Sequence, residues 1–248
     1  MERIILRFEL SNPSILKTVI TGLSVIVDEC AILFTSEEVL IRALSRDHTT
    51  FMTVELKKYL FDEYEADDGE TVIVDVDELN KIMKRCKNTD LMECNVDEAN
   101  LNILFKGDSE RIFSIRLIDN DYESPRPPII EHPCKLTVPT NVLSDTLGDL
   151  GIFTDIIQIS ADNDYLRFKG AGTNGEGFIK YLHGEHIQNY YRSDFSISKL
   201  LEIMKTKDFS ESLTIGLGDN LPLELTFKLV TGDGKIEFLL APRIDNES

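Results

Sequence analysis

The stretch Ile15-Leu16-Lys17-Thr18-Val19-Ile20-Thr21-Gly22-Leu23 places apolar side chains at i, i+1, i+4, i+5 and i+8, which is one stripe of an amphipathic helix. Asn12 and Pro13 before it predict an N-cap and a first-turn proline. Far downstream, Val142-Leu143-Ser144-Asp145-Thr146-Leu147-Gly148-Asp149-Leu150 repeats the stripe, with Thr140 or Asn141 as the expected cap. A parallel phrase follows each copy, Val25-Ile26-Val27-Asp28 and then Ile152-Phe153-Thr154-Asp155. Each phrase runs on into strand-like sequence, Ala31 to Phe34 and Ile156 to Ser160. The chain says the same thing twice.

A second helix pair repeats as well. Val76, Leu79, Ile82, Met83 and Cys86 form one stripe, opened by Asp75 with Glu78 three residues on, a capping-box spacing. Its counterpart is Ile197, Leu200, Leu201, Ile203 and Met204, with Ser196 as the expected cap. After each comes a strand, a turn and a strand: 100–105 then 111–117, and 221–229 then 235–240. Gly107-Asp108 and Gly232-Asp233-Gly234 supply the turns. Between the halves, residues 119–133 lack apolar periodicity. Pro125, Pro127 and Pro128 exclude a helix or central strand there, which predicts an extended connector. The expected fold class is α+β, with two tandem similar domains of helices packed on antiparallel sheets. The expected limits are 1–117, a connector 118–133, and 134–248.

The composition has 26 basic against 44 acidic side chains, a formal charge of −18, and 42% hydrophobic residues, enough for a real core. A polyanion is repelled by polyphosphate unless its few cations are gathered on one surface. No apolar run reaches membrane-spanning length, and the start Met1-Glu2-Arg3-Ile4 lacks the layout of a secretory signal, so no membrane partner is expected. Cys30, Cys86, Cys94 and Cys134 are scattered without a CxxC pair, which predicts buried free thiols.

Several phrases resemble the PCNA-type DNA sliding clamps, in their archaeal form. They are the ending Phe238-Leu239-Leu240-Ala241-Pro242-Arg243-Ile244, Val27-Asp28-Glu29 after the first helix, Arg42-Ala43-Leu44-Ser45-Arg46-Asp47-His48, and Leu117-Ile118-Asp119 before the connector. The resemblance runs through the whole chain in order and is weakest from Gly170 to Ser193. It implies a non-enzymatic processivity factor without a cofactor. Such a factor is a head-to-tail homotrimeric ring that encircles duplex DNA, with helices lining the hole and sheets outside. The implied partners are a clamp loader, DNA polymerase and other replication and repair enzymes carrying a clamp-binding peptide. The implied location is cytoplasmic and nucleoid-associated in an archaeal cell, nuclear in a eukaryotic one. Subunits would join by edge pairing of Arg111, Ile112, Phe113, Ser114 and Ile115 with Gly177, Phe178, Ile179, Lys180 and Tyr181 of the next copy. On pattern alone, both stretches read as ordinary strands within one domain.

Lys81, Lys84 and Arg85 stand at i, i+3 and i+4, so they share a helix face opposite the apolar stripe, and Lys87 follows. A basic helical face is usually just solvated, but the resemblance turns these helices toward DNA. It adds Lys17, Lys199, Lys205 and Lys207 as DNA-facing candidates. The third helix departs from that pattern, offering Ser144, Asp145 and Asp149 with no lysine or arginine. A specialised subunit of a heterotrimeric or damage-signalling clamp is therefore the rival reading. The resemblance also implies a partner-peptide groove. It maps onto Leu44, His48, Thr49 and Phe51, onto the connector with Tyr122, Ile129 and Ile130, and onto Pro222, Ala241, Pro242, Arg243 and Ile244. Tyr122, Pro125 and Pro127 replace the usual aliphatic residues, which predicts altered affinity for standard motifs.

Enzyme readings find little support. Gly170-Ala171-Gly172-Thr173-Asn174-Gly175 matches GxGxxG, but residues 176–182 read as a strand, with no helix to face a pyrophosphate. His183-Gly184-Glu185-His186 lacks a clear third metal ligand. The alternative outside the clamp class is a ligand-binding α+β protein whose repeat mimics a clamp.

Overall fold

The computed structural model describes residues 6–119 and 122–243. Asn120 of the expected connector and Ile244 of the expected groove lie outside them. The chain divides into two compact units. The first holds the described residues of 1–46, 52–127 and 229–236; the second holds those of 47–51, 128–228 and 237–248.

In chain order the elements are β1 (Leu6–Leu10), α1 (Ser14–Leu23), β2 (Glu29–Phe34), β3 (Glu38–Leu44), β4 (Thr50–Lys57), β5 (Glu63–Ala66), β6 (Glu70–Asp75), α2 (Val76–Met83), β7 (Leu91–Val96), β8 (Asn100–Lys106) and β9 (Glu110–Arg116). Then come β10 (Cys134–Pro139), α3 (Thr140–Leu150), β11 (Ile156–Ala161), β12 (Tyr165–Gly172), β13 (Gly175–Leu182), β14 (Tyr191–Ser196), α4 (Ile197–Ile203), β15 (Ser212–Leu217), β16 (Leu223–Lys228) and β17 (Gly234–Leu240). The connector from 122 to 132 holds neither helix nor strand.

Strand order shows the duplication directly. In the first unit, β1-β7-β8-β9 run side by side with β5 added outside β1, and β6-β2-β3-β4 form a second run. In the second unit the matching runs are β10-β15-β16-β17 and β14-β11-β12-β13. The registered ladders are antiparallel, for example Phe8 opposite Cys94 and Val138 opposite Leu213. Each unit therefore threads strand, helix, strands, helix and strands through one topology. β9 and β13 each end a sheet, so each leaves one side of its backbone without a strand partner in its own unit.

Burial follows the predicted stripes. Val19, Ile20 and Leu23 of α1 are buried, as are Leu143, Leu147 and Leu150 of α3, and Val76, Leu79 and Met83 of α2. All four cysteines are buried free thiols, and burial pushes Cys30 up to about 12. Leu201 departs from its predicted stripe and is exposed. It lies within α4 at the margin of the buried Ile197, Leu200 and Ile203 face. The helix ends at Ile203 and tightens into a 3-10 turn, Met204–Phe209, whose Met204 is buried as the stripe predicts.

The caps differ from expectation at three of four helices. Asp75 caps α2 as predicted, its carboxylate accepting from the Glu78 amide at 2.8 Å. At α1 the N-cap position falls on Pro13, and the Asn12 side chain instead accepts from the Ser14 hydroxyl. At α3 the helix begins at Thr140 and the N-cap position falls on Pro139, while the Thr140 hydroxyl donates to the Ser210 carbonyl at 2.7 Å. Ser196 occupies the predicted cap of α4, but its hydroxyl meets that of Ser198 rather than a backbone amide. Proximity decided these caps, since a hydroxyl takes the partner that tertiary packing offers.

The GxGxxG stretch is the β12–β13 hairpin. Its glycines make room for the end of α3. A Cβ on Gly172 would overlap the Phe153 carbonyl oxygen, and one on Gly177 would overlap Leu150 Cδ2. Gly172→Ala should therefore cost about 1–3 kcal/mol. Gly148→Ala, on α3 where a Cβ meets open space, should instead gain about 0.5–1 kcal/mol. Urea unfolding of the two variants checks both signs, and equal shifts would refute the packing account.

Candidate functional site

The basic cluster of the first unit is built on α2. Because α2 buries Val76, Leu79 and Met83, its opposite face turns Lys81 to solvent. The helix ends at Met83, so Lys84, its C-cap, and Arg85 are exposed in the turn beyond it rather than on the predicted helix face. None of the three has a carboxylate partner among the described residues. Lys87, just beyond, is exposed but pairs with Asp108 at 2.8 Å. Lys17 on α1 is half-buried and donates to the Cys86 carbonyl at 3.3 Å, which ties α1 to the end of α2. Asn80 strengthens that contact by donating to the Ser24 hydroxyl at 2.9 Å.

The second unit repeats the plan less fully. Lys205 and Lys207 are exposed on the 3-10 turn after α4, without a carboxylate partner among the described residues. Lys199 is committed within its own unit, 2.9 Å from Asp47 and 3.6 Å from Glu202. Hydrogen bonding to Asp47 raises its pKa despite partial burial. On α3, Asp145 and Asp149 are exposed and Ser144 is half-buried. Lys207 shares an open hollow of about 500 Å³ with Asn141, Ser144, Asp145, Asp208 and Glu211, so its charge sits among carboxylates.

The two predicted joining strands each lie at a sheet edge. On β9, Ile112 is 74% exposed, Phe113 is half-buried and Ile115 is buried. On β13, Phe178 is 59% exposed, while Gly177, Ile179 and Tyr181 are half-buried. An apolar side chain on an open edge is an arrangement that isolated domains avoid. Arg111 is turned inward, where its guanidinium meets the buried Asp90 carboxylate and donates to the Arg85 carbonyl at 2.7 Å. Asp90 also accepts from the Lys87 amide at 2.6 Å. Burial opposes its charge, but these donors hold it below the usual carboxylate range. Sequence reasoning missed Asp90, whose role depends on Gly107 passing over its Oδ1 with no side chain between them.

The predicted groove residues fall in both units. In the second, the 47–51 loop and the chain end are joined, the Ala241 amide donating to the Thr49 carbonyl at 2.8 Å. The Arg243 amide donates to the Asp194 carbonyl at 2.7 Å. His48 is exposed with φ of 57°, Pro222, Ala241 and Pro242 are half-buried, and Phe51 is buried. Ile129 is 98% exposed, and Ile130 is half-buried. Leu44 and Tyr122 belong to the first unit, both half-buried. The metal reading of His183 and His186 gains nothing. Their ring nitrogens meet the Asp162 carbonyl at 2.8 Å and Asn163 Oδ1 at 2.9 Å.

Comparison with known proteins bears on these surfaces together. The family described as Proliferating cell nuclear antigen, N-terminal domain, matches residues 5–124. A DNA polymerase sliding clamp of Methanobrevibacter smithii is 46% identical over 239 residues, covering 96% of this chain and 98% of that one. One from Methanothermobacter thermautotrophicus is 44% identical with the same coverage. A solved structure described as the C-terminal region of FEN-1 bound to A. fulgidus PCNA superposes with a TM-score of 0.88 at 29% identity, covering 98% of this chain and all of that one. The duplicated topology, the helix pair of each unit and near full-length similarity agree, and the chain belongs to the PCNA family of DNA polymerase sliding clamps.

Proposed function

We propose that this chain is a DNA polymerase processivity factor whose copies close head to tail into a three-membered ring around duplex DNA. It would serve there as a docking platform for replication and repair enzymes, with no chemistry of its own. The observation that carries the reading is the placement of unpartnered positive charge in a chain of net charge −18. Lys81 on α2 with Lys84 and Arg85 just after it, and Lys205 and Lys207 just after α4, all stand at the second helix of their unit. Flexible lysines attract any phosphate without fixing a register, which suits sliding. Retention then comes from topology, so an acidic exterior does no harm.

The edges β9 and β13 support ring closure, because a heterologous pairing of two different edges closes into a ring when its rotation allows. In this reading the working domains are 1–117 and 134–248, joined by the connector 118–133. Partner peptides dock along the connector and the Ala241–Arg243 tail; that a similar clamp, the A. fulgidus PCNA, is described with the C-terminal region of FEN-1 bound supports peptide docking as such. A clamp loader opens the ring, and in an archaeal cell the work is done at the nucleoid in the cytoplasm. The acidic α3 favours a second reading, a specialised subunit needing unlike partners. Purification of this single chain as a stable trimer would dispose of it.

Ile112→Asp or Phe178→Asp should convert the trimer to monomer in sedimentation with an unchanged circular dichroism spectrum, since both side chains lie outside the core. A trimer surviving both changes refutes the edge assignment. Lys81→Glu with Lys84→Glu should leave the ring assembled but lower loader-dependent stimulation of a polymerase on primed circular DNA by roughly tenfold at moderate salt. Full stimulation at low and moderate salt would show that α2 does not face DNA.

A further inference from the structure

His132, at the end of the connector, is a histidine whose side chain has 0% exposure. Its Nε2 lies 2.7 Å from the Pro222 carbonyl oxygen, and its Nδ1 lies 3.1 Å from Glu224 Oε2. The Pro222 carbonyl can only accept, so Nε2 carries a proton. The Glu224 carboxylate beside Nδ1 is a charge contact without good hydrogen-bond alignment, and it favours a second proton there and hence the imidazolium. The site is built to receive it. A Cβ on Gly216 of β15 would lie 2.9 Å from the ring Cγ, and one on Gly218 would lie 3.1 Å from Pro133 Cδ, so the absence of side chains there lets His132-Pro133 settle onto the sheet.

Other charged groups face the same point. Glu224 on β16 also meets Lys135 Nζ of β10 at 3.0 Å through both oxygens, and it accepts from the Thr226 hydroxyl at 3.3 Å. Hydrogen bonding to His132 and Lys135 holds Glu224 down to about 2 against the opposing effect of burial, so its charge persists throughout the neutral range. β15 faces the ring with glycine and offers no charge.

We propose that His132 is a positioning residue for peptide docking, a charged stake that fastens the end of the connector to the second unit and makes docking weaken as the pH rises. The docking half rests on the groove reading above; the stake itself does not. Ile129 and Ile130 lie just before His132 in a segment without secondary structure, and Pro222, whose carbonyl it holds, is itself a groove candidate. Fixing one end of an irregular segment lowers the ordering cost when a peptide pairs with it. Burial disfavours the imidazolium, but Glu224 and the Pro222 carbonyl outweigh it and raise the His132 pKa above its ordinary value. The stake is therefore fully made below about pH 6.5 and is lost as pH rises through the raised value.

The test uses the full chain and a synthetic copy of the FEN-1 C-terminal region. Wild-type affinity should fall roughly three- to tenfold from about pH 6 to about pH 9. His132→Gln, which still donates to Pro222 but cannot titrate, should be flat over that range. Glu224→Gln should move the inflection down. A flat wild-type profile with measurable binding, or one inflection shared by wild type and His132→Gln, overturns the proposal. Absence of binding at every pH overturns the groove reading and the docking half with it. The stake is judged separately by amide exchange of Ile129, Ile130 and Glu131, corrected for base catalysis. Their protection should fall with rising pH in wild type and not in His132→Gln; equal behaviour refutes the stake.

Discussion

Every helix in this chain must bury one apolar stripe against the sheets of its own unit, and that requirement governs the rest. Once Val76, Leu79 and Met83 are inside, Lys81 has only the solvent side to occupy, and Lys84 and Arg85 are exposed in the turn beyond. The same constraint turns Asp145 and Asp149 outward on α3, where their charge is of the opposite sign. Burial of apolar area is non-directional, so it decides which face is free but not what that face carries. The two units share a skeleton and differ in their electrostatics.

The second consequence concerns edges. An antiparallel run must stop somewhere, and β9 in one unit and β13 in the other are two of the strands at which a sheet ends. β9 is steadied from within, since Arg111 spans from the strand to the end of α2 through Asp90 and the Arg85 carbonyl. β13 is set by glycine, because α3 can end against the β12–β13 hairpin only where Gly172 and Gly177 leave space. One edge is thus placed by a charge and the other by missing side chains. The basic face of α2 and the β9 edge share the short stretch from Lys81 to Arg111, so a change at Asp90 would disturb both.

Much was legible before any coordinates. The buried stripes of α1, α2 and α3, the Asp75 cap and the glycine turns are local signals, and each appears where the pattern put it. The caps of α1 and α3 were not legible, because Pro13 and Pro139 took the cap positions while Asn12 and Thr140 found other partners. Leu201 escaped because it stands at the margin of the face that α4 buries with Ile197, Leu200 and Ile203, and an apolar side chain at a margin does not record whether packing covers it. Lys199 carried a basic signal, but Asp47, far away in sequence, absorbs it.

The sequence by itself determined the duplication, the fold class and the identity of the scarce cations, since periodicity and turn chemistry act over a few residues. Only the tertiary structure decided which cations stay unpartnered, which strands end a sheet, and that His132 is enclosed between Pro222 and Glu224. Ion pairing, edge position and burial join residues tens of positions apart, and no local pattern records a distance that folding alone creates.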